Sequence, residues 1–425
     1  MSHTELVPRR PWHGRRILLG VTGSIAAYKS VQLARDLTKL GAEVDVVLTD
    51  AAQRFVAPLS FEGVTGRRAL TDLFSAEGAA LHVRLGRDAD VVCVAPATAD
   101  FIARAAQGRA DDLLCTTLLA TRAPVVVCPA MNDGMFAHPQ VQENLEHLRE
   151  KLGYAIAGPA EGPLAVGEDE GGQGPGRMLE PAEIEEHLGR ALGSDPAWKG
   201  RRVLVTAGPT REALDPVRYL GNRSSGRMGY ALAQAAWRRG ADVTLVSGPS
   251  ALPAPIGVEL VRVETAAEMH AAVADRIARA DVSVFAAAVA DYRPAEARPQ
   301  KVKREAAGES LAVALAANPD IARATRDARR PGSVSVGFAL ETTDLVANAS
   351  RKLDAKGFDL VVANDATEEG AGFEVATNRV TILSRGRDPE ALPLLSKDEV
   401  AEEVLDRVGA LLAAASVEPT GKEHR

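Results

Sequence analysis

The sequence predicts an α/β protein of two doubly wound, Rossmann-like domains with mainly parallel sheets, spanning residues 14–192 and 199–414. Three observations lead there. In Gly14–Lys29, GRRILLGVTGSIAAYK, the apolar run Ile17, Leu18, Leu19 and Val21 reads as a strand covered on both faces, followed by a turn at Thr22-Gly23-Ser24 and a helix start near Ser24. The same pattern returns: Trp12-His13-Gly14-Arg15-Arg16-Ile17-Leu18-Leu19 reappears as Trp198-Lys199-Gly200-Arg201-Arg202-Val203-Leu204-Val205, and Gly41–Thr49 reappears as Gly240–Ser247. Between and after these repeats, apolar runs alternate with helical spacing, the signature of βαβ units.

In chain order, residues 1–13 are polar, contain two prolines and read as a loose arm. Strands follow near 17–22, 43–49, 91–95, 124–129 and 154–157, with helices near 24–40, 99–107, 111–121 and 139–152. Ile25, Leu33, Leu37 and Leu40 supply the first helix with an apolar side, and Ser24 is placed to cap it, leaving other N–H groups for an anion. A plain strand-to-helix turn fits this stretch equally well, since its spacing is not G-x-G-x-x-G. Three strand ends carry unusual loops, at Pro96–Asp100, Pro129–Asn132 and Gly158–Met178. A closing helix at 182–192 and the linker Gly193-Ser194-Asp195-Pro196 lead into strands near 202–207, 242–247, 282–286, 334–337 and 359–363, and the chain beyond about residue 414 reads as frayed.

A chain of 425 residues suits two domains of roughly two hundred residues each. Hydrophobic residues at 46%, charged residues at 25% and the absence of any run of about 18 apolar residues or a signal segment predict a globular, cytoplasmic protein with no membrane partner. A net charge of -7 argues against nucleic acid as the main partner. Only ten of the 50 basic residues are lysine, yet Lys301, Lys303, Lys352 and Lys356 fall in two short stretches, as a phosphate site would require. Cys93, Cys115 and Cys128 lack C-x-x-C spacing and read as core residues.

His82, in Ala80-Leu81-His82-Val83, reads either as a general acid or base just before a strand or as a structural histidine. Asn132 reads either as a carboxylate- and amine-binding amide or as a turn former. Taken together, Gly20-Val21-Thr22-Gly23-Ser24-Ile25-Ala26, the isolated His82, Pro96-Ala97-Thr98-Ala99-Asp100, Asp111-Asp112-Leu113-Leu114 and Pro129-Ala130-Met131-Asn132 resemble the homo-oligomeric flavin-containing cysteine decarboxylases, flavodoxin-like in fold, over residues 15–192. Asn222–Gly229, Ala287–Tyr292, Lys301-Val302-Lys303, Gly337–Thr342 and Ala363-Asn364-Asp365 resemble phosphopantothenate-cysteine ligase over residues 199–384. That order is similar to the bifunctional enzyme of bacterial coenzyme A biosynthesis.

The resemblance implies that the ligase half activates 4'-phosphopantothenate with CTP, with Mg2+ bridging the phosphates, and passes the acyl-cytidylate to cysteine. Asn222 would hold the acyl-cytidylate, Lys301, Lys352 and Lys356 would meet phosphates, Asp291 the ribose, and the backbone near Ala287 and Phe338 the cytosine. In the decarboxylase half, Gly23, Ser24, Thr49, Pro96, Ala97, Thr98 and Met131 would cradle FMN, His82 would be the base and Asn132 would bind the substrate carboxylate. Trimeric and dimeric contacts, closing into a dodecamer, are also implied. Relatives often carry a loop cysteine as proton donor. Here Gly162-Pro163-Leu164-Ala165-Val166-Gly167 has Val166 instead, which leaves Glu168 or Asp169 as substitutes. Two competing readings are a ligase whose flavin-binding half is inactive and a flavin-binding regulatory protein.

Overall fold

The computed structural model describes residues 6–74, 80–163, 173–303, 311–365 and 375–417, with side chains through residue 414. Val166, Glu168 and Asp169 lie outside the described residues. The chain divides into two compact units, Met1–Gly193 and Ser194–Arg425.

In the first unit, β1 (Arg16–Val21), β2 (Glu43–Leu48), β3 (Val91–Ala97), β4 (Val125–Pro129) and β5 (Ala155–Ile156) form a parallel sheet in the order β2-β1-β3-β4-β5. Five parallel strands in that order are the flavodoxin-like arrangement, whose switch point lies between β1 and β3. Helices α1 (Ala27–Lys39), α2 (Pro58–Thr65), α3 (Leu81–Asp88), α4 (Ala99–Ala106), α5 (Leu113–Ala120), α6 (Asp133–Ala137), α7 (Pro139–Glu150) and α8 (Pro181–Gly193) alternate with the strands along the chain. The unbroken apolar strands follow from this covering, because Ile17, Leu19 and Val21 join one core while Leu18 joins the other. Gly158–Met178 contains the hairpin β6 (Ala160–Pro163) and β7 (Gln173–Arg177).

The second unit holds an eight-stranded sheet. Its strands are β8 (Arg202–Ala207), β11 (Asp242–Ser247), β12 (Glu259–Arg262), β13 (Val282–Phe285), β16 (Val334–Glu341), β17 (Leu360–Asp365), β19 (Thr381–Ser384) and β20 (Glu390–Ala391). Their order is β12-β11-β8-β13-β16-β17-β19-β20, parallel as far as β17 and antiparallel beyond it. Three two-stranded pairs flank it: β9 (Arg211–Ala213) with β10 (Tyr219–Gly221), β14 (Tyr292–Pro294) with β15 (Leu315–Ala317), and β18 (Thr377–Asn378) with β21 (Leu395–Ser396). Helices α9 (Arg227–Arg238), α10 (Ala266–Ile277), Leu345–Lys356 and Lys397–Val417 cover the sheet.

The repeated sequence is a repeated structure. Trp12 and Trp198 are both fully buried. Gly14 and Gly200 both take φ 71, and the next arginine N–H in each donates to the tryptophan carbonyl at 3.0 Å. Arg16 N–H donates to the Asp90 carboxylate and Arg202 N–H to that of Asp281, each at 2.8 Å. The turn thus fixes the first residue of each central strand.

Several expectations are corrected. The described part of the N-terminal arm is docked, with Arg9 N–H donating to Leu40 O at 3.2 Å and the Arg9 guanidinium 5.2 Å from the Trp12 ring centre. Helix α1 begins at Ala27 without a side-chain cap, and the Ser24 hydroxyl accepts from Ala26 N–H at 3.3 Å, just before the helix. Ile25 is 60% exposed and does not join the core. His82 sits in the first turn of α3, well ahead of β3.

Candidate active sites

In the first unit an open cavity of about 1160 Å3 lies beyond the carboxyl ends of β1, β2, β3 and β4. Gly23, Ser24, Thr49, Thr98 and Met131 line it. Pro96, Ala97, Asn132 and His82 do not line it directly. Pro96 instead fixes the wall, because Thr22 Oγ1 donates to its carbonyl at 2.7 Å and accepts from Thr98 N–H at 3.1 Å. Thr98 then caps α4 by accepting from Phe101 N–H at 3.3 Å. At Gly23 a β-carbon would stand 2.5 Å from that of Ala51, so only glycine lets the turn pass so close.

Asn132 is the N-cap of α6, its Oδ1 accepting from Gly134 N–H at 2.9 Å. Met131 N–H donates to Gly176 O at 3.0 Å, which ties this loop to β7. Among the described residues, the buried His82 Nδ1 and Asp133 Oδ1 have no hydrogen-bond partner. Buried polar groups rarely stay unsatisfied, so both are marked for a ligand or a proton transfer. Sequence reasoning missed Arg104 and Arg109. Arg104 lines the cavity and pairs with Asp111 at 2.5 Å and Asp112 at 2.6 Å, while Arg109 reaches Asp111 at 2.6 Å. The Asp111-Asp112 pair was the available signal, since adjacent carboxylates need cations.

FMN fits these residues. The 13-residue α1 starts beside the cavity without a side-chain cap, so the positive end of its dipole favours a phosphate, and Ile25, Leu113, Leu114 and Met131 supply an apolar wall for a ring.

In the second unit the switch point lies between β8 and β13, and two adjoining cavities of about 200 and 340 Å3 open there. Ala287, Asp291, Phe338 and Lys352 line both. Asn222 lines the larger cavity and Lys356 the smaller. Asn222 Nδ2 donates to Ala288 O and Val289 O, both at 3.1 Å, so the amide clamps the loop after β13. Thr206 Oγ1 accepts from Ala287 N–H at 3.2 Å and Thr210 Oγ1 from Ala290 N–H at 3.0 Å, which holds the same loop from the β8 side.

Lys352 Nζ donates to Phe338 O, and burial, aided by the nearby Lys356 charge, pushes its pKa down to about 8. Lys356 pairs with Asp320 at 3.1 Å. Asn318, missed in the sequence, donates to Ala290 O at 2.8 Å and lines the smaller cavity. Lys301 lines neither cavity and is exposed. Its neighbour Val302 is anchored, donating to Asp215 Oδ2 at 3.1 Å and accepting from Arg218 at 2.9 Å. Among the described residues no cluster of three metal-ligating side chains occurs, and no helix is long and apolar enough to cross a membrane.

Fold and sites together define a two-domain α/β enzyme, with one cavity by the start of α1 in the first unit and two adjoining cavities by Lys352 and Lys356 in the second. Residues 7–192 match the family model described as Flavoprotein, and residues 198–412 match the DNA/pantothenate metabolism flavoprotein C-terminal domain. The coenzyme A biosynthesis bifunctional protein CoaBC of Vibrio cholerae is 45% identical, covering 92% of this chain and 97% of that one. Its counterpart from Mycobacterium bovis is 44% identical over 95% of this chain and 98% of its own. A crystal structure of the C-terminal domain of such a protein is 39% identical, covers 52% of this chain and all of its own, and has a TM-score of 0.44. The chain belongs to the family of bifunctional coenzyme A biosynthesis proteins. It is an enzyme with a decarboxylase half and a ligase half.

Proposed function

We propose that the second unit joins 4'-phosphopantothenate to cysteine at the expense of CTP, and that the first decarboxylates the product to 4'-phosphopantetheine with FMN. The observation that carries this reading is the convergence of Asn222, Ala287, Asp291, Phe338, Lys352 and Lys356 on two adjoining cavities at one switch point, although they lie far apart in sequence. The substrate carboxylate attacks the α-phosphorus of CTP and releases pyrophosphate. The cysteine amine then attacks the acyl carbon, CMP leaves, and the amide forms. Lys352 and Lys356 neutralise phosphate charge, Asp291 takes the ribose, the backbone at Ala287 and Phe338 meets the base, and Asn222 holds the acyl-cytidylate next to the loop it clamps. Lys301 joins the phosphates from the strand-free segment anchored at Val302. Mg2+ would supply further charge neutralisation at those phosphates, and Asp320, which lines the smaller cavity, is the carboxylate that would help to hold it.

In the first unit, bound FMN supplies the oxidation of the cysteine thiol that makes loss of CO2 possible. Gly23, Ser24, Thr49, Thr98 and Met131 line its seat, and Pro96 and Ala97 shape that seat from behind. His82 takes the proton at its unpartnered Nδ1, and Asn132 receives the carboxylate. The protein acts in the cytoplasm as a homo-oligomer whose trimeric and dimeric contacts close into a dodecamer. Exposed apolar side chains in each unit, Tyr28, Leu59 and Val83 in the first and Tyr219, Leu220 and Tyr292 in the second, are available for subunit contacts.

The test uses the purified full chain. Pyrophosphate release should require CTP and 4'-phosphopantothenate, stopping at about one equivalent per site until cysteine is added and CMP leaves, and the protein should show a flavin spectrum and release CO2 from the ligated product. Pyrophosphate release that does not depend on 4'-phosphopantothenate, or a flavin-free protein that cannot be reconstituted, would refute the reading.

A further inference from the structure

The two sheets carry matching cavities at the ends opposite their active sites, of about 500 Å3 in the first unit and about 510 Å3 in the second. In the first unit the cavity lies by Arg16 at the start of β1, Asp45 of β2, Arg67-Arg68 and the end of α3, which leads into β3. In the second it lies by Arg202 at the start of β8, Asp242 of β11, Glu259 of β12 and the end of α10, which leads into β13. Leu70 pairs parallel with Val47 of β2 just as β12 pairs parallel with β11, so the segment after Arg68 stands where β12 stands. The settings correspond element for element.

What differs is charge. Among the described residues, the second unit's cavity sets three cationic side chains, Arg202, Arg276 and Arg279, against three carboxylates, Asp242, Glu259 and Asp275, so the architecture itself needs no net charge. The first unit's cavity sets four, Arg16, Arg67, Arg68 and Arg84, against two, Asp45 and Asp88. Each of these carboxylates already has an arginine, Asp45 pairing with Arg67 at 2.7 Å and Asp88 with Arg16 at 3.3 Å. Just outside the lining, Glu43 bonds Arg16 at 3.2 Å and Arg67 at 3.4 Å while Arg87 bonds Asp88 at 2.9 Å, and these two further charges cancel. A surplus of two positive charges therefore stands in a chain whose net charge is -7. Arg68 and Arg84, which reach the cavity from separate segments, are both exposed.

Like charges crowded into a concave site repel one another and raise the local concentration of anions. We propose that this cavity binds a small anion carrying a diphosphate group, with Arg68 and Arg84 as its principal contacts and Arg16 and Arg67 beside them. Guanidinium forks match phosphate oxygens in pairs, and a surplus of two charges suits a diphosphate better than a single carboxylate. The volume falls in the range of small-molecule sites and admits either a free diphosphate or one that ends a nucleotide. The site lies at the amino end of β1, whereas the flavin cavity lies beyond its carboxyl end, so it is distinct from both active sites and does not rest on the ligase reading.

Calorimetric titration of the purified full chain with pyrophosphate, and separately with ADP, tests the proposal. Arg68→Gln combined with Arg84→Gln should weaken one class of site about ten-fold or more, or remove it. Arg276→Gln combined with Arg279→Gln, in the equivalent neutral cavity, should leave both titrations unchanged. Binding of either probe in the second unit's active site is common to every variant and cancels in the comparison. Arg68→Lys combined with Arg84→Lys should recover part of the affinity, since it restores charge without the fork, and matching thermal melts without ligand show that the variants fold. At the site lost, tighter binding of ADP identifies a nucleotide and tighter binding of pyrophosphate a free diphosphate, and either order supports the site. Identical titrations for the parent and the first-unit variant overturn the proposal, and so does equal weakening by both arginine pairs, which is diffuse counterion binding. A first-unit variant that titrates like the parent but dissociates in light scattering gives the cavity to an acidic face of another subunit, which also overturns it.

Discussion

Gly23 sets how closely the first turn can approach the residues after β2, because a methyl group there would lie 2.5 Å from the Ala51 β-carbon. Gly23→Ala should push the turn outward and lower flavin occupancy about ten-fold, the usual scale of one to three kcal/mol for overpacking, measured as the flavin-to-protein absorbance ratio. His82 and Lys301 serve different reactions. His82→Asn should cut decarboxylation by about two to four orders of magnitude and spare ligation, and Lys301→Gln should do the reverse. Equal loss of both activities in either variant would contradict the assignment. Lys352 gives a pH signature: its ammonium, with a pKa near 8, is lost well before that of an ordinary lysine, so KM for CTP should climb as pH rises above about 8. Lys352→Arg should flatten that rise, since guanidinium stays charged.

At the scale of elements, α8 carries a carboxyl group that works against the fold. Glu185 is 6% exposed, and burial, reinforced by Asp36 from α1 and Glu186 and only partly offset by Arg9, pushes its pKa from 4.5 up to about 8. The folded state therefore holds a proton that the unfolded state has released between those values, and stability falls as pH rises through that window. Glu185→Gln should stabilise the first unit by about one to three kcal/mol at pH 8 and by little at pH 4.5, read from thermal melts at both pH values. The strands were legible in the sequence because two-sided burial writes them as unbroken apolar runs. Helices α2 and α3 were not, since α2 buries Phe61 alone and α3 has only Leu81 and Leu85 as buried large apolar side chains, too few to show a period. Ile25 misled for the opposite reason: an apolar residue at helical spacing looks like core even when it lines a cavity. Of the sites, contiguous motifs such as Asn222–Gly229 could be seen, whereas Arg104 and Asn318 could not, because only the folded chain brings them to their cavities.

For the whole molecule, the two units meet in sequence at Gly193-Ser194, and each has its own sheet and its own cores. Cutting the chain there should leave two pieces that fold separately, the first binding flavin and the second consuming CTP; a folded second piece without CTP turnover would contradict the division. The repeated strand-leading turn has an optical consequence. Trp12 is the single indole of the first unit, while Trp198 and Trp237 belong to the second. Trp12 and Trp198 are fully shielded from water, each beneath an arginine at 5.2 and 5.8 Å. Replacing Trp198 and Trp237 with phenylalanine therefore makes the emission of the intact chain a report on the first unit alone, and replacing Trp12 makes it a report on the second. The order in which the halves melt becomes a matter of colour, readable without separating them.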